Sequence, residues 1–292
     1  SDIDKLREKL MAIGDSVICV GDLSLIKIHV HTNQPNVALG YALEMGEIWN
    51  IKIENMLEQN RELKKKQAQM QQAQKAFGMV SVAAGSGIAE VFKDLGADYI
   101  IEGGQTMNPS AEDIANAVNK VPSEHVFVFP NNKNITLAAE QAQNLTNKFI
   151  HVIPTTSIPE GVSAMLAFNM EGTLDENIET MKAAKESVSS GTVTYAVRET
   201  HVDGFDLKEG DIIGLTGGKI VSKETLVSEA TIKLLEKMLD ENKVNITLFY
   251  GQDVQEEDAN KLQEDVAERF PQCEVTVISG GQPVYYYIVS VD

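Results

Sequence analysis

"MVSVAAGSGIAE", Met79 to Glu90, decides the fold: an apolar strand ends in Gly85-Ser86-Gly87 and runs straight into a helical pattern. A dinucleotide-binding turn would carry a third glycine where Glu90 stands, so the glycine pair reads as a tight strand-to-helix turn. The same order then repeats. Strands "DYIIEG", "HVFVFP" and "FIHVIPT" alternate with helices starting after Gly87, Ser110, Asn134 and Ile158, and a further helix covers Leu174–Ser187. Strands alternating with helices predict a mostly parallel α/β sheet over residues 78–190.

Beyond Gly191 the order becomes mixed. "GTVTYAV" and the hairpin "GDIIGLTGGKIV" precede a helix (225–239), then "VNITLFYG", a helix (255–270) and the closing strands "EVTVISG" and "VYYYIVSV". This predicts a second α/β domain, 191–292, with more antiparallel character. Upstream, residues 3–12 read as a helix and "DSVICVGDLSLIKIHVH" as a hairpin about Gly21–Ser24. Pro35 opens another helix, and "IWNIKIENM" reads as one more strand, so residues 1–57 form a small α+β unit. Residues 58–77, rich in Gln, Lys and Ala, read as a solvated connecting helix. Met56, Leu63, Met70 and Phe77 recur every seven residues there, and a homodimer seam is the second reading.

Composition narrows the function. The 292 residues are 43% hydrophobic and 23% charged, the balance of a globular protein of two or three domains. The net charge of −18 repels phosphate backbones, which argues against nucleic acid and anionic membranes. No apolar run approaches the roughly 18 residues of a membrane span. Two cysteines, Cys19 and Cys273, far apart in sequence, suit a reducing cytoplasm better than a disulfide framework. A start at Ser1-Asp2 without methionine reads as a fragment of something longer.

Two constellations stand out. In "LIKIHVH", Ile26, Ile28 and Val30 share one strand face while Lys27, His29 and His31 share the other. The imidazoles thus project together, with Cα atoms about 7 Å apart. Zinc needs at least a third protein ligand, and the hairpin register puts Cys19 opposite Ile26, away from His29. On spacing alone the solvated-face reading is favoured. The second constellation is polar: Thr106, Asn108 and Ser110 precede one helix, Asn131, Asn132 and Asn134 the next, and Thr155, Thr156 and Ser157 a third. These residue types cap helices whatever the function. In a parallel sheet, however, the loops meet at the carboxyl ends of the strands, where helix N-termini suit a carboxylate or phosphate. No catalytic spacing accompanies them, so binding is favoured over chemistry. A short echo links the halves, "IIEGGQTMNP" and "VISGGQPVYY", whose bland account is a duplicated glycine turn.

"IHVHTNQP", "NIKIENM", "EGGQTMNPS", "PNNKNI", "GTVTYAVRET" and "GGQPVYYYIVSV" together resemble the large, ATP-binding subunit of bacterial fatty acid kinase, a family related to dihydroxyacetone kinase. The resemblance runs over essentially the whole chain. It implies the later part of the middle domain plus two DegV-like subdomains, with ATP and magnesium handled by an N-terminal kinase domain of the same polypeptide. In that family a Cys and an H-x-H motif form a zinc site. His29 and His31 match the motif, and the matching Cys falls upstream of residue 1. The C-terminal region is similar to the DegV-like fatty-acid-binding proteins that present the acyl chain. Those carry a His near the C-terminal end, which "GGQPVYYY" lacks, and "PNNKN" has asparagines where a serine is expected.

The resemblance implies a regulatory and docking portion of a fatty acid kinase, a lipid-metabolism enzyme feeding phospholipid synthesis. This portion would bind the fatty-acid-carrying DegV-like partner and would be inactive alone. The rival readings are a DegV-type module for a lipid or small anion and, further off, a dihydroxyacetone-type kinase.

Overall fold

The computed structural model describes residues 2–22, 24–58, 61 and 75–292. They fall into two compact units, one within residues 1–71 and one within 72–292. Helix α1 (Asp2–Met11) has Asp2 and Asp4 in its first turn and Lys9 in its last, the charge order its dipole favours. Its Leu6 and Leu10 bury themselves with Cys19 against an antiparallel ribbon, β1 (Gly14–Gly21) and β2 (Ile26–Thr32). Helix α2 (Pro35–Leu43) opens on proline, whose fixed φ suits a first turn, and adds Ala38 and Tyr41 to this core.

Two expectations for this unit need correction. The Asp22 carboxylate accepts from the amides of Ser24 (2.8 Å) and Leu25 (3.1 Å), and the Asp22 amide donates to the Leu25 carbonyl (3.0 Å). This Asx loop moves the hairpin centre one residue along. Gly21 therefore pairs with Ile26, and Cys19 stands opposite Ile28 rather than Ile26. In addition, "IWNIKIENM" forms no strand: Trp49, Ile51 and Ile53 are exposed. Alternation is right for a strand, but no described segment supplies the neighbouring ladder a strand requires. Most of the expected connecting helix lies outside the described residues; Phe77, at its end, opens the next strand.

In the second unit, β3 (Phe77–Ala83), β4 (Tyr99–Glu102), β5 (His125–Phe129) and β6 (Phe149–Val152) form a parallel sheet in the order β4-β3-β5-β6. Its central strands are buried nearly throughout, as continuous apolar runs between helices should be. Helices α3 (Ser86–Asp94), α4 (Ala111–Asn119), α5 (Thr136–Gln141), α6 (Ile158–Leu166) and α7 (Leu174–Ser187) follow the strands. The predicted box at α4 is present: Ser110 Oγ accepts from the Asp113 amide while Asp113 accepts from the Ser110 amide.

The chain then enters a mixed sheet at β7 (Ser189–Tyr195). A small hairpin, β8 (Thr200–Val202) and β9 (Phe205–Leu207), had not been expected, although Asp203-Gly204 announces it. Both turn residues have positive φ (51° and 83°), as a two-residue hairpin turn of this kind demands. After β10 (Ile212–Thr216) and β11 (Lys219–Glu224) come α8 (Val227–Met238), β12 (Asn245–Tyr250), α9 (Glu256–Arg269), β13 (Glu274–Ser279) and β14 (Tyr287–Val291). Strand order is β11-β10-β7-β14-β12-β13, antiparallel except for β12 with β13. Phe127 and Phe129 of the first sheet, with Ile153 just after β6, share a buried cluster with Phe249 and Ile288 of the second. The two sheets thus pack through common apolar surface, and a crevice opens where the parallel strands end.

Candidate functional site

The crevice lies beyond the carboxyl ends of β3 to β6, where sequence reasoning placed it, and its cavity is about 120 Å³. Gly104, Gln105, Asn132 and Ser157 line one part, Ser190, Thr192 and Tyr285 another. No charged side chain is among the described lining residues.

Of the six residues chosen from sequence, Asn131 and Asn132 reach this wall; Thr106, Asn108, Ser110 and Asn134 are exposed and do not line it. Asn131 is a structural bolt. Its Nδ2 donates to Ser81 Oγ (2.9 Å) and the Val82 carbonyl (2.8 Å), and its Oδ1 accepts from Thr155 Oγ1 (2.8 Å). Its amide also donates to Thr155 Oγ1 (3.1 Å), at a backbone φ of 55°. Little capacity is left for a ligand. Asn132 Nδ2 donates to the Gly104 carbonyl (2.5 Å), and its Oδ1 accepts from the Asn134 amide (2.9 Å). It holds two loops together at the mouth.

Ser157, the N-cap of α6, meets Ser190 of β7 with hydroxyl oxygens 2.6 Å apart. Gln105 Oε1 is buried without a hydrogen-bond partner. The wall can therefore offer hydroxyls and an amide to a small polar guest, but no group poised as acid, base or nucleophile. Ser190 and Thr192 escaped sequence reasoning because they come from β7 of the other sheet. Tyr285, which the sequence reads as part of the closing strand "VYYYIVSV" rather than as a binding residue, precedes β14 and lies on the wall. Val284 has a φ of 71°, rare for a β-branched residue. Its carbonyl accepts from Thr194 Oγ1 (2.9 Å), which holds the turn that sets Tyr285 on the crevice wall.

The Gly85-Ser86-Gly87 turn is not a phosphate cradle. The amides of Gly87 and Ile88 both donate to the Gly280 carbonyl, at 3.0 and 3.1 Å. A Cβ at Gly87 would stand 1.7 Å from the Ser279 carbonyl oxygen, so glycine serves the close approach of two backbones.

On the ribbon, His29 and His31 bring their Nε2 atoms to 3.2 Å, and His31 Nδ1 faces Asp15 Oδ1 at 3.6 Å. Two nitrogens on one tetrahedral zinc, each 2.0–2.1 Å from it, would be roughly 3.3 Å apart. The pair fits that bite. Cys19 does not join it: the thiol is buried on the opposite face, and burial raises its pKa, disfavouring the thiolate a metal needs. Among the described residues no group of three or more His, Cys, Asp or Glu could hold a metal ion.

A second histidine pair was not foreseen. His125 Nδ1 and His151 Nε2 are 2.9 Å apart on neighbouring strands β5 and β6, half-buried beside Phe149 and Phe127. Burial, and then the charge of His125, lower the His151 pKa.

The sequence matches the FakA-like C-terminal model of the fatty acid kinases over residues 78–292, and the FakA-like middle-domain model over residues 1–63. The chain therefore belongs to the FakA-like family of fatty acid kinase proteins. Protein YloV of Bacillus subtilis (strain 168) is 42% identical over 296 residues, an alignment that covers all of this chain and 54% of YloV. The chain thus spans about half the length of the curated relatives it matches. Among solved structures, the DegV family protein Cg2579 from Corynebacterium glutamicum is similar with a TM-score of 0.58 at 16% identity, covering 74% of this chain and 97% of that one. The structure titled fatty acid binding of a DegV family protein from Thermus thermophilus follows with 0.51 at 12%, covering 74% and 99%. Dihydroxyacetone kinase from C. freundii with AMP-PNP and Mg2+ gives 0.51 at 14%, covering 75% of this chain and 48% of the kinase. At these identities the likeness is one of fold, a DegV-like α/β fold with one parallel and one mixed sheet. No helix among the described residues is long and apolar enough to cross a membrane.

Proposed function

We propose that this chain is the docking portion of a fatty acid kinase. It would receive a DegV-like protein carrying a fatty acid while a nucleotide-binding domain of the same polypeptide transfers phosphate from magnesium-ATP to the acyl carboxylate. One observation carries the choice of docking over lipid binding. The DegV-like crevice measures about 120 Å³, whereas pockets that enclose drug-sized ligands run to roughly 300–1,000 Å³. A cavity of that size is small for a long acyl chain, which supports a fold that presents its surface over one that swallows lipid. A cytoplasmic location and a homodimeric whole protein accompany this reading.

Zinc belongs to the same proposal. His29 and His31 would supply two nitrogens, with further ligands from elsewhere in the longer protein. The bound ion would crosslink the ribbon to its neighbour, a structural task for which a closed, four-coordinate site is usual.

The second reading, a DegV-type lipid or small-anion module, is favoured by the Ser157–Ser190 hydroxyls beside the N-terminus of α6. One experiment separates the two. Native mass spectrometry of the purified chain, alone and mixed with a fatty-acid-loaded DegV-family protein, should show a complex and no co-purified acyl chain. A stoichiometric acyl chain bound within residues 78–292, with no complex, would refute docking.

A further inference from the structure

Strand β1 contains an irregularity that moves a carboxylate onto the histidine face of the ribbon. Asp15, Val17 and Cys19 have the same parity, and in a regular strand all three would face the core. Val17 and Cys19 do. Asp15 does not, because Ser16 and Val17 together oppose the single residue Val30, between the pairs Asp15–His31 and Ile18–His29. This is a β-bulge, with Ser16 in the left-handed region at φ 52°. Cross-strand partners share a face, so the bulge sets Asp15 beside His31. The Ser16 hydroxyl donates to Asp15 Oδ1 (3.0 Å), the same oxygen that faces His31 Nδ1 at 3.6 Å. Asp15 itself is well exposed, so a small rotation closes the remaining gap.

We infer that Asp15 is a positioning residue for the histidine pair: its carboxylate holds the His31 proton on Nδ1 and so turns the Nε2 lone pair toward His29 and a shared metal ion. The chemistry is that of a carboxylate behind a metal-bound imidazole, which fixes the ring's tautomer and orientation and raises its basicity. The inference rests on the reading of His29 and His31 as metal ligands proposed above. It goes further in naming the residue that prepares them and the bulge that delivers it.

The test uses the full 292-residue chain, with zinc alone as the probe. Long-range proton–nitrogen NMR of the histidines at pH 8, without metal, reads the tautomer. Competition with a chromophoric chelator reads zinc affinity. The expected result for Asp15→Ala is loss of the Nδ1–H preference at His31 and zinc binding weakened about 10–100-fold. Asp15→Asn, which retains an acceptor, should keep the tautomer and lose less affinity. A tautomer unchanged in Asp15→Ala, or an affinity within about twofold of wild type, overturns the inference. His29→Ala and His31→Ala test the underlying reading separately: zinc binding that survives both removes the metal site, whatever the tautomer of His31 reports.

Discussion

Two Gly-Gly-Gln turns end parallel-paired strands of the second unit and do opposite things. Gly103-Gly104-Gln105, after β4, stays open and lines the crevice. Gly280-Gly281-Gln282, after β13, closes over the start of α3, where the Gly280 carbonyl takes up two helix amides. Each glutamine leaves a buried Oε1 without a partner, yet Gln282 is fully buried and donates to the Phe249 carbonyl (2.8 Å), while Gln105 is only half-buried. The same tripeptide is a seal in one place and a wall in the other. What differs is the backbone it meets.

The seal should be the harder of the two to disturb. Gly87→Ala drives a Cβ into the Ser279 carbonyl and should cost about 3 kcal/mol or more, read as a lower urea midpoint at unchanged slope. A midpoint matching wild type would show that the turn is not locked. Gln282→Ala removes a buried hydrogen bond and leaves a void, for an expected loss of about 2 kcal/mol. Gln105→Ala, at the open turn, should stay within about 1 kcal/mol of wild type. If Gln105→Ala proves the more damaging, the two turns have been assigned the wrong way round.

The histidine pairs sharpen the contrast between exposed and enclosed groups. His151 has a folded-state pKa below the ordinary value of about 6.5, first through burial and then through His125. As pH falls, the unfolded chain therefore takes up this proton before the folded one does. The stability that neutral His151 contributes is complete above about pH 6.5 and is lost from there down to the lowered folded value. The slope between pH 7 and 5 should flatten in His151→Phe. Removing both His29 and His31 should shift thermal stability least of all, by no more than about 0.5 kcal/mol without metal, because both project from the ribbon's outer face.

Much of this was legible because local physics is written locally. The continuous apolar runs of β3 and β5, Ser110 before Asp113, and Pro35 at a helix start each state their structure within a few residues. The small hairpin at Asp203-Gly204 is equally local, since its two-residue turn is written in the dipeptide itself. "IWNIKIENM" failed for the opposite reason: its alternation is genuine, but a strand exists only if another strand lies beside it.

The candidate sites divide along the same line. His29 and His31 are two residues apart on one strand, so their shared face follows from the period of the chain alone. His125 and His151 meet only because β5 and β6 pair in a register that sets Phe127 opposite His151 and His125 opposite Phe149. The crevice likewise joins Gln105 and Asn132 to Ser157, Ser190 and Tyr285, far apart along the chain. Sequence by itself determined most of the elements, the cap at Ser110 and the direction of the parallel loops, because hydrogen bonds and hydrophobic periodicity act over a few residues. Only the tertiary structure decided that Asn131 is spent on holding three strands together, that a carbonyl from β13 fills the glycine turn, and that a bulge turns Asp15 outward. Each depends on which backbone arrives opposite, and that is settled by packing across the whole unit.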